Sequence, residues 1–186
     1  MVKAKKSYKK KSSYISKKNF LRIASNYSRV KFDLSRRFLL SSQNFQFENA
    51  SETLSIADIL TACPDFQWYR QLYQSMKVTG VAATIVPMLS SSDFATDGSY
   101  TFALLTDTDG LGFGNVVEAD KSIILDFDTT HRRYWSFGTG STGWIGIEDS
   151  NLLPGKFGLA KTNLPSAGTM YWTVKFTVYV LLKVKN

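Results

Sequence analysis

From residue 171 to 185 the chain alternates without a break. Trp172, Val174, Phe176, Val178, Val180, Leu182 and Val184 fall on one side, and Tyr171, Thr173, Lys175, Thr177, Tyr179, Leu181, Lys183 and Lys185 on the other. Successive side chains of a strand point to opposite faces, so this stretch reads as an antiparallel strand with one face on a core and one mixed face. Shorter stretches repeat the period: Val30, Phe32 and Leu34 alternate with Lys31, Asp33 and Ser35, and Phe45 and Phe47 with Asn44, Gln46 and Glu48. Further strands are expected over 77–86, 100–106, 122–128, 132–137, 144–148 and 157–162, with turn-rich stretches at 90–99, 107–115, 138–143, 149–155 and 165–168. In this body only 55–60 and 65–73 read as helices. About eight strands and almost no helix predict an all-β sandwich or barrel.

The 186 residues carry a net charge of +8, placed unevenly. Residues 1–37 hold Lys3, Lys5, Lys6, Lys9, Lys10, Lys11, Lys17, Lys18, Arg22, Arg29, Lys31, Arg36 and Arg37 against Asp33, a net +12, while the remaining 149 residues are net −4. The expected organisation is therefore a basic arm, 1–37, on a mildly acidic body, 38–186. Such an arm repels itself when free and condenses on a polyanion, releasing counterions with each phosphate it neutralises. Tyr8, Tyr14, Phe20 and Tyr27 lie among the cations, where aromatic rings can stack on unpaired bases. Those thirteen basic residues are the candidate nucleic-acid contacts; solubility or nuclear import would use the same clusters. Phe20, Leu21, Ile23, Ala24 and Tyr27 fall at helical spacing, so a short amphipathic helix is expected near 17–27.

Composition excludes several chemistries. One Cys and one His cannot build a thiolate or imidazole metal cage, and Cys63 has no partner for an internal disulfide. No run approaches the roughly 18 apolar residues of a spanning helix, and the lysine-rich start is not followed by an apolar segment with a cleavage site. Neither membrane insertion nor signal-peptide export is expected. Gly138, Gly140 and Gly143 match GxGxxG, but 144–148 reads as a strand where a dinucleotide site needs a helix N-terminus. Asp107 and Asp109 resemble the middle of a calcium loop, yet that frame puts Leu105 and Val116 at ligand positions, so a side-chain-capped turn is expected. His131 has no nucleophile elbow or activated cysteine beside it. Arg132 and Arg133 suit a neighbouring subunit's carboxylates, a phosphate or a solvated turn, and Glu118, Asp120, Asp126 and Asp128 read as a charged strand face. No catalytic residue, metal or cofactor is assigned, and no enzymatic activity is expected.

One block is more specific. Residues 55–60, then Pro64, Asp65, Phe66, Trp68, Tyr69, Arg70, Leu72, Tyr73, Met76, Lys77, Gly80, Val81 and Pro87, resemble a segment of the capsid proteins of circular Rep-encoding single-stranded DNA viruses, circoviruses and their relatives. In that family a short helix bearing Phe and Tyr leads through a Tyr/Lys-rich corner into strand C, with a Gly-Val step and a later Pro. The basic arm and the long amphipathic last strand belong to the same pattern; the short loops and lysine-dominated arm depart from it. The resemblance implies a single eight-stranded antiparallel jelly roll of two four-stranded sheets, sixty copies closing an icosahedral shell around single-stranded DNA, in a virion, with assembly in the host nucleus compatible with the arm. A jelly-roll capsid protein of a small RNA or satellite virus would share the arm and strands. A jelly-roll carbohydrate-binding module would leave the arm unexplained. Trp68, Trp135, Trp144, Tyr171, Tyr179 and Leu181 are more aromatic and apolar surface than one small subunit buries, so some are expected at subunit contacts.

Overall fold

The computed structural model describes residues 27–41, 45–47, 53–90, 100–105, 122–125, 128–137, 143–161 and 167–184. Its elements run β1 (Ser28–Ser41), β2 (Phe45–Phe47), β3 (Thr53–Ser55), α1 (Ile56–Thr61), α2 (Pro64–Leu72), β4 (Tyr73–Ser90), β5 (Tyr100–Leu105), β6 (Ile123–Ile124), β7 (His131–Ser136), β8 (Ile145–Gly146), a 3-10 helix (Ile147–Leu152), β9 (Lys156–Lys161) and β10 (Thr169–Val184). A six-stranded sheet has the order β2-β1-β10-β4-β7 with β8 on β4, and a four-stranded sheet the order β3-β9-β5-β6. Without the short β2 and β8, the eight remaining strands pair, in chain order, as 1-8-3-6 and 2-7-4-5. This is the jelly roll, an all-β sandwich in which each sheet takes strands from both halves of the chain.

β10 is the centre of the larger sheet, and it sits where its alternation requires. It pairs antiparallel with β1 from Ser28↔Leu182 to Ser41↔Thr169 without interruption, and with β4 on its other side. Trp172, Val174, Phe176, Val178, Val180 and Leu182 are all buried, meeting Phe32, Leu34, Phe38 and Leu40 of β1 on the inner face. Phe38 stacks on Trp172 at 4.9 Å within the sheet, while Phe176 meets Phe157 of the opposite sheet at 4.7 Å and Phe38 meets Phe102 there at 6.3 Å, so these last two contacts join the layers. Val184 departs from the expected inward set: the register shifts between Lys183 and Val184, and Val184 is exposed.

β4 changes face midway. Met76 and Val78 are buried, then Val81, Ala83 and Ile85, because the pairing with β10 skips Thr79, Tyr179 pairing with Gly80 and Val180 with Val78. This bulge inserts one residue and resets the alternation, which is the physical content of the Gly80-Val81 step. α1 and α2 wedge against the end of β1. Ser55 and Asp58 form a reciprocal capping box on α1, and Phe66 and Tyr69 of α2 each meet the Phe32 ring edge-on at 5.3 Å.

Several expectations are corrected. The sheet begins at Ser28, so a boundary at 37/38 would cut β1, and Arg29, Lys31, Arg36 and Arg37 stand on a strand. The strand after α2 is the third of the eight, position D in the usual lettering from B, and not strand C, because the three-residue β3 precedes the helices. β6 spans two residues instead of seven. The strand expected over 144–148 shortens to β8, and Glu148, Asp149 and Ser150 belong to the 3-10 helix, whose polar run favours a turn. Trp135 is core, edge-on to Phe157 at 5.5 Å, and unavailable for a subunit contact. The expected helix near 17–27 and the acidic residues Asp107, Asp109, Glu118, Asp120 and Asp126 lie outside the described residues, apart from Tyr27 at the helix's end.

Candidate nucleic-acid interface

Of the thirteen candidate contacts, Lys3, Lys5, Lys6, Lys9, Lys10, Lys11, Lys17, Lys18 and Arg22 lie outside the described residues. The other four are on β1, and parity separates them. Arg29, Lys31 and Arg37 occupy odd positions, pointing away from the core, whereas Arg36 shares the parity of Leu34 and Phe38 and is half-buried. Its Nη1 donates to the Ser35 carbonyl at 3.2 Å, and its charge acts on the Cys63 thiol.

Strand pairing assembles a surface from this outer face. Arg29 is opposite Leu181, which is opposite Lys77; Lys31 is opposite Tyr179, then Gly80 and Ser136. The next rows are Asp33, Thr177, Ala82 and Tyr134, then Ser35, Lys175, Thr84 and Arg132. The strand face so formed presents Arg29, Lys31, Arg37, Lys77, Lys175 and Arg132 with Asp33 in their midst. Asp33 is itself engaged: Lys175 Nζ is 3.6 Å from its Oδ2, and Thr177 Oγ1 donates to its Oδ1. Sequence reasoning puts Lys175 and Tyr179 on one mixed face and offers Arg132 to phosphate, but does not include Lys77, Tyr134 or Trp144 among nucleic-acid contacts. The parity of β10 is the signal the sequence carries; the identity of the strands flanking it is not.

At the first two rows this face hollows into a groove of about 790 Å³ lined by Tyr27, Arg29, Lys31, Lys77, Tyr134, Trp144, Tyr179 and their neighbours. Among the described residues no Asp or Glu lines it. Tyr134 meets Tyr179 edge-on at 5.6 Å, Lys31 Nζ stands 5.4 Å from the Tyr179 ring centre, and Tyr27 lies 6.4 Å from Trp144. Thr79, the bulged residue, donates to the Tyr179 carbonyl at 3.2 Å. Elsewhere, Arg133 donates to the Ser122 carbonyl at 3.5 Å, and Arg70 pairs with Glu148, tying α2 to the 3-10 helix. Trp68 and Leu72 project from α2, one turn apart and largely exposed.

No family model and no curated protein matches the sequence. Solved structures do match. The Cocksfoot mottle virus structure aligns with a TM-score of 0.61 at 11% identity, over 86% of this chain and 94% of that one. A T=1 subviral particle of a Penaeus vannamei nodavirus capsid protein deletion mutant aligns with a TM-score of 0.60 at 9% identity, over 86% and 98%. The decameric BFDV capsid protein aligns with a TM-score of 0.50 at 14% identity, over 84% and 99%. At such identities the likeness is one of architecture: the chain has the jelly-roll fold of viral capsid proteins.

Proposed function

We propose that the chain is a structural viral capsid protein that self-assembles into a closed icosahedral shell, in a virion, and packages single-stranded nucleic acid through its basic N-terminal arm. The observation that carries this reading is a capsid-type jelly roll whose first described strand follows residues 1–27, which hold nine Lys and Arg and no Asp or Glu. Sixty such segments would bring about 540 positive charges to the inside of a shell. The mechanism is charge neutralisation and geometry, without reaction chemistry, and binding is sequence-tolerant because lysines on phosphates read no bases. Single-stranded DNA is the expected genome, on the resemblance of residues 55–87 to capsid proteins of circular single-stranded DNA viruses. An RNA genome is the second reading, because the structural neighbours include capsids of both DNA and RNA viruses.

Electron microscopy and sizing of the purified full chain test the assembly: closed particles are expected, and a stable monomer at micromolar concentration with nucleic acid present would overturn it. Sugar analysis of the nuclease-protected nucleic acid separates DNA from RNA.

A further inference from the structure

We propose that the groove on the outer face of the larger sheet is a second, structured nucleic-acid site, one that takes an unpaired base between its aromatic side chains and the flanking phosphates on Arg29, Lys31 and Lys77. The site rests on the packaging reading and adds to it which face of the sandwich meets the genome. Three observations converge. The groove joins exposed rings, Tyr134 and Trp144, to cations, with no carboxylate among the described residues of its lining, and such a pairing suits stacked bases beside a polyanion. Its volume of about 790 Å³ is in the range of small-ligand sites and exceeds a gap between side chains. Finally, Tyr27 lines the groove one residue before β1 begins, so the sequence carrying nine further Lys and Arg leads directly into a groove residue.

Charge also selects the occupant. The charged residues of 1–26 are all Lys and Arg, so that segment offers no opposite charge to Arg29, Lys31 and Lys77, whereas a nucleic-acid phosphate does. Because every base has a stacking face, the site should accept DNA or RNA without strong sequence preference.

Photocrosslinking of assembled full-length protein to 5-iodouracil-substituted dT and U oligonucleotides, mapped by mass spectrometry, tests the site. Crosslinks at Tyr134, Trp144 or Tyr179 are expected. Crosslinks confined to residues 1–26 would overturn the groove while leaving the packaging reading intact; absence of bound oligonucleotide would overturn both. In solution, Tyr134→Ala and Trp144→Ala should each weaken oligo-dT binding roughly tenfold with an unchanged salt slope. Arg29→Gln with Lys31→Gln should instead flatten the log-log salt slope by about 1.4. Unchanged oligonucleotide affinity with weakened particles in the Tyr134 and Trp144 variants would mark a contact between copies and overturn the proposal.

Discussion

Gly80 lies directly beneath the ring of Tyr134: a Cβ on Gly80 would stand 2.3 Å from the tyrosine Oη and 2.6 Å from Cζ. The ring therefore occupies the space a side chain would fill on the neighbouring strand, and from there it reaches Tyr179. Gly80→Ala should drive the half-exposed Tyr134 ring off this seat at a cost of up to about 1 kcal/mol. Tyr134→Ala in the same chain should recover most of that loss, a coupling read by urea denaturation of the four proteins of the cycle. Equal losses from Gly80→Ala in both backgrounds would show that the ring does not rest there.

The two faces of β10 should respond very differently to truncation. Phe176 is fully buried between the sheets, so Phe176→Ala should cost about 3–5 kcal/mol. Thr177, its outward neighbour, gives up only a surface hydrogen bond to Asp33, and Thr177→Ala should cost less than about 1 kcal/mol. Similar values in chemical denaturation would mean the register is wrong.

Trp68 and Leu72 offer an assembly test. They are 69% and 64% exposed, one helical turn apart on α2, and an apolar pair in solvent suits a contact between copies. Trp68→Glu should reduce particle yield severalfold while circular dichroism of the dissociated subunit stays unchanged. Undiminished yield would remove α2 from the subunit interface.

Cys63 should behave as a silent thiol. It is buried, donates from Sγ to the Asp33 carbonyl at 3.4 Å, and burial pushes its pKa from 9.0 up to about 11, with the Arg36 charge opposing. A thiol reagent at pH 7 should label the protein only after unfolding. Because the unfolded chain loses this proton first, Cys63 makes stability fall as pH rises from about 9 to 11. Cys63→Ala should flatten that part of the stability profile, measured by denaturation across the range.

The sandwich is legible in the sequence because β10, β1 and much of β4 write their burial as alternation, and α2 writes its wedge as Phe66 and Tyr69. Three features are not. The bulge at Thr79 has no local signature; only the change of inward set from Val78 to Val81 records it, and that becomes interpretable once β10 is alongside. Trp135 looks like spare aromatic surface because a six-residue edge strand shows too few periods to reveal that it points inward. The basic groove is non-local: Lys31, Lys77 and Tyr134 are brought to one face by the pairing of β1, β10, β4 and β7, and no stretch of sequence contains them together.

If the arm gathers nucleic acid into a shell that the jelly roll builds, arm and shell should separate on truncation. Deleting residues 2–18 removes Lys3, Lys5, Lys6, Lys9, Lys10, Lys11, Lys17 and Lys18 and leaves every strand of the described residues intact. The measurement is nuclease-protected nucleic acid per particle, with the salt dependence of oligonucleotide binding, for the full and deleted chains. The body should still fold, protected nucleic acid should fall sharply, and the log-log salt slope should flatten by about 0.7 for each phosphate that is no longer neutralised. Unchanged nucleic-acid content together with an unchanged slope would contradict a packaging role for the arm.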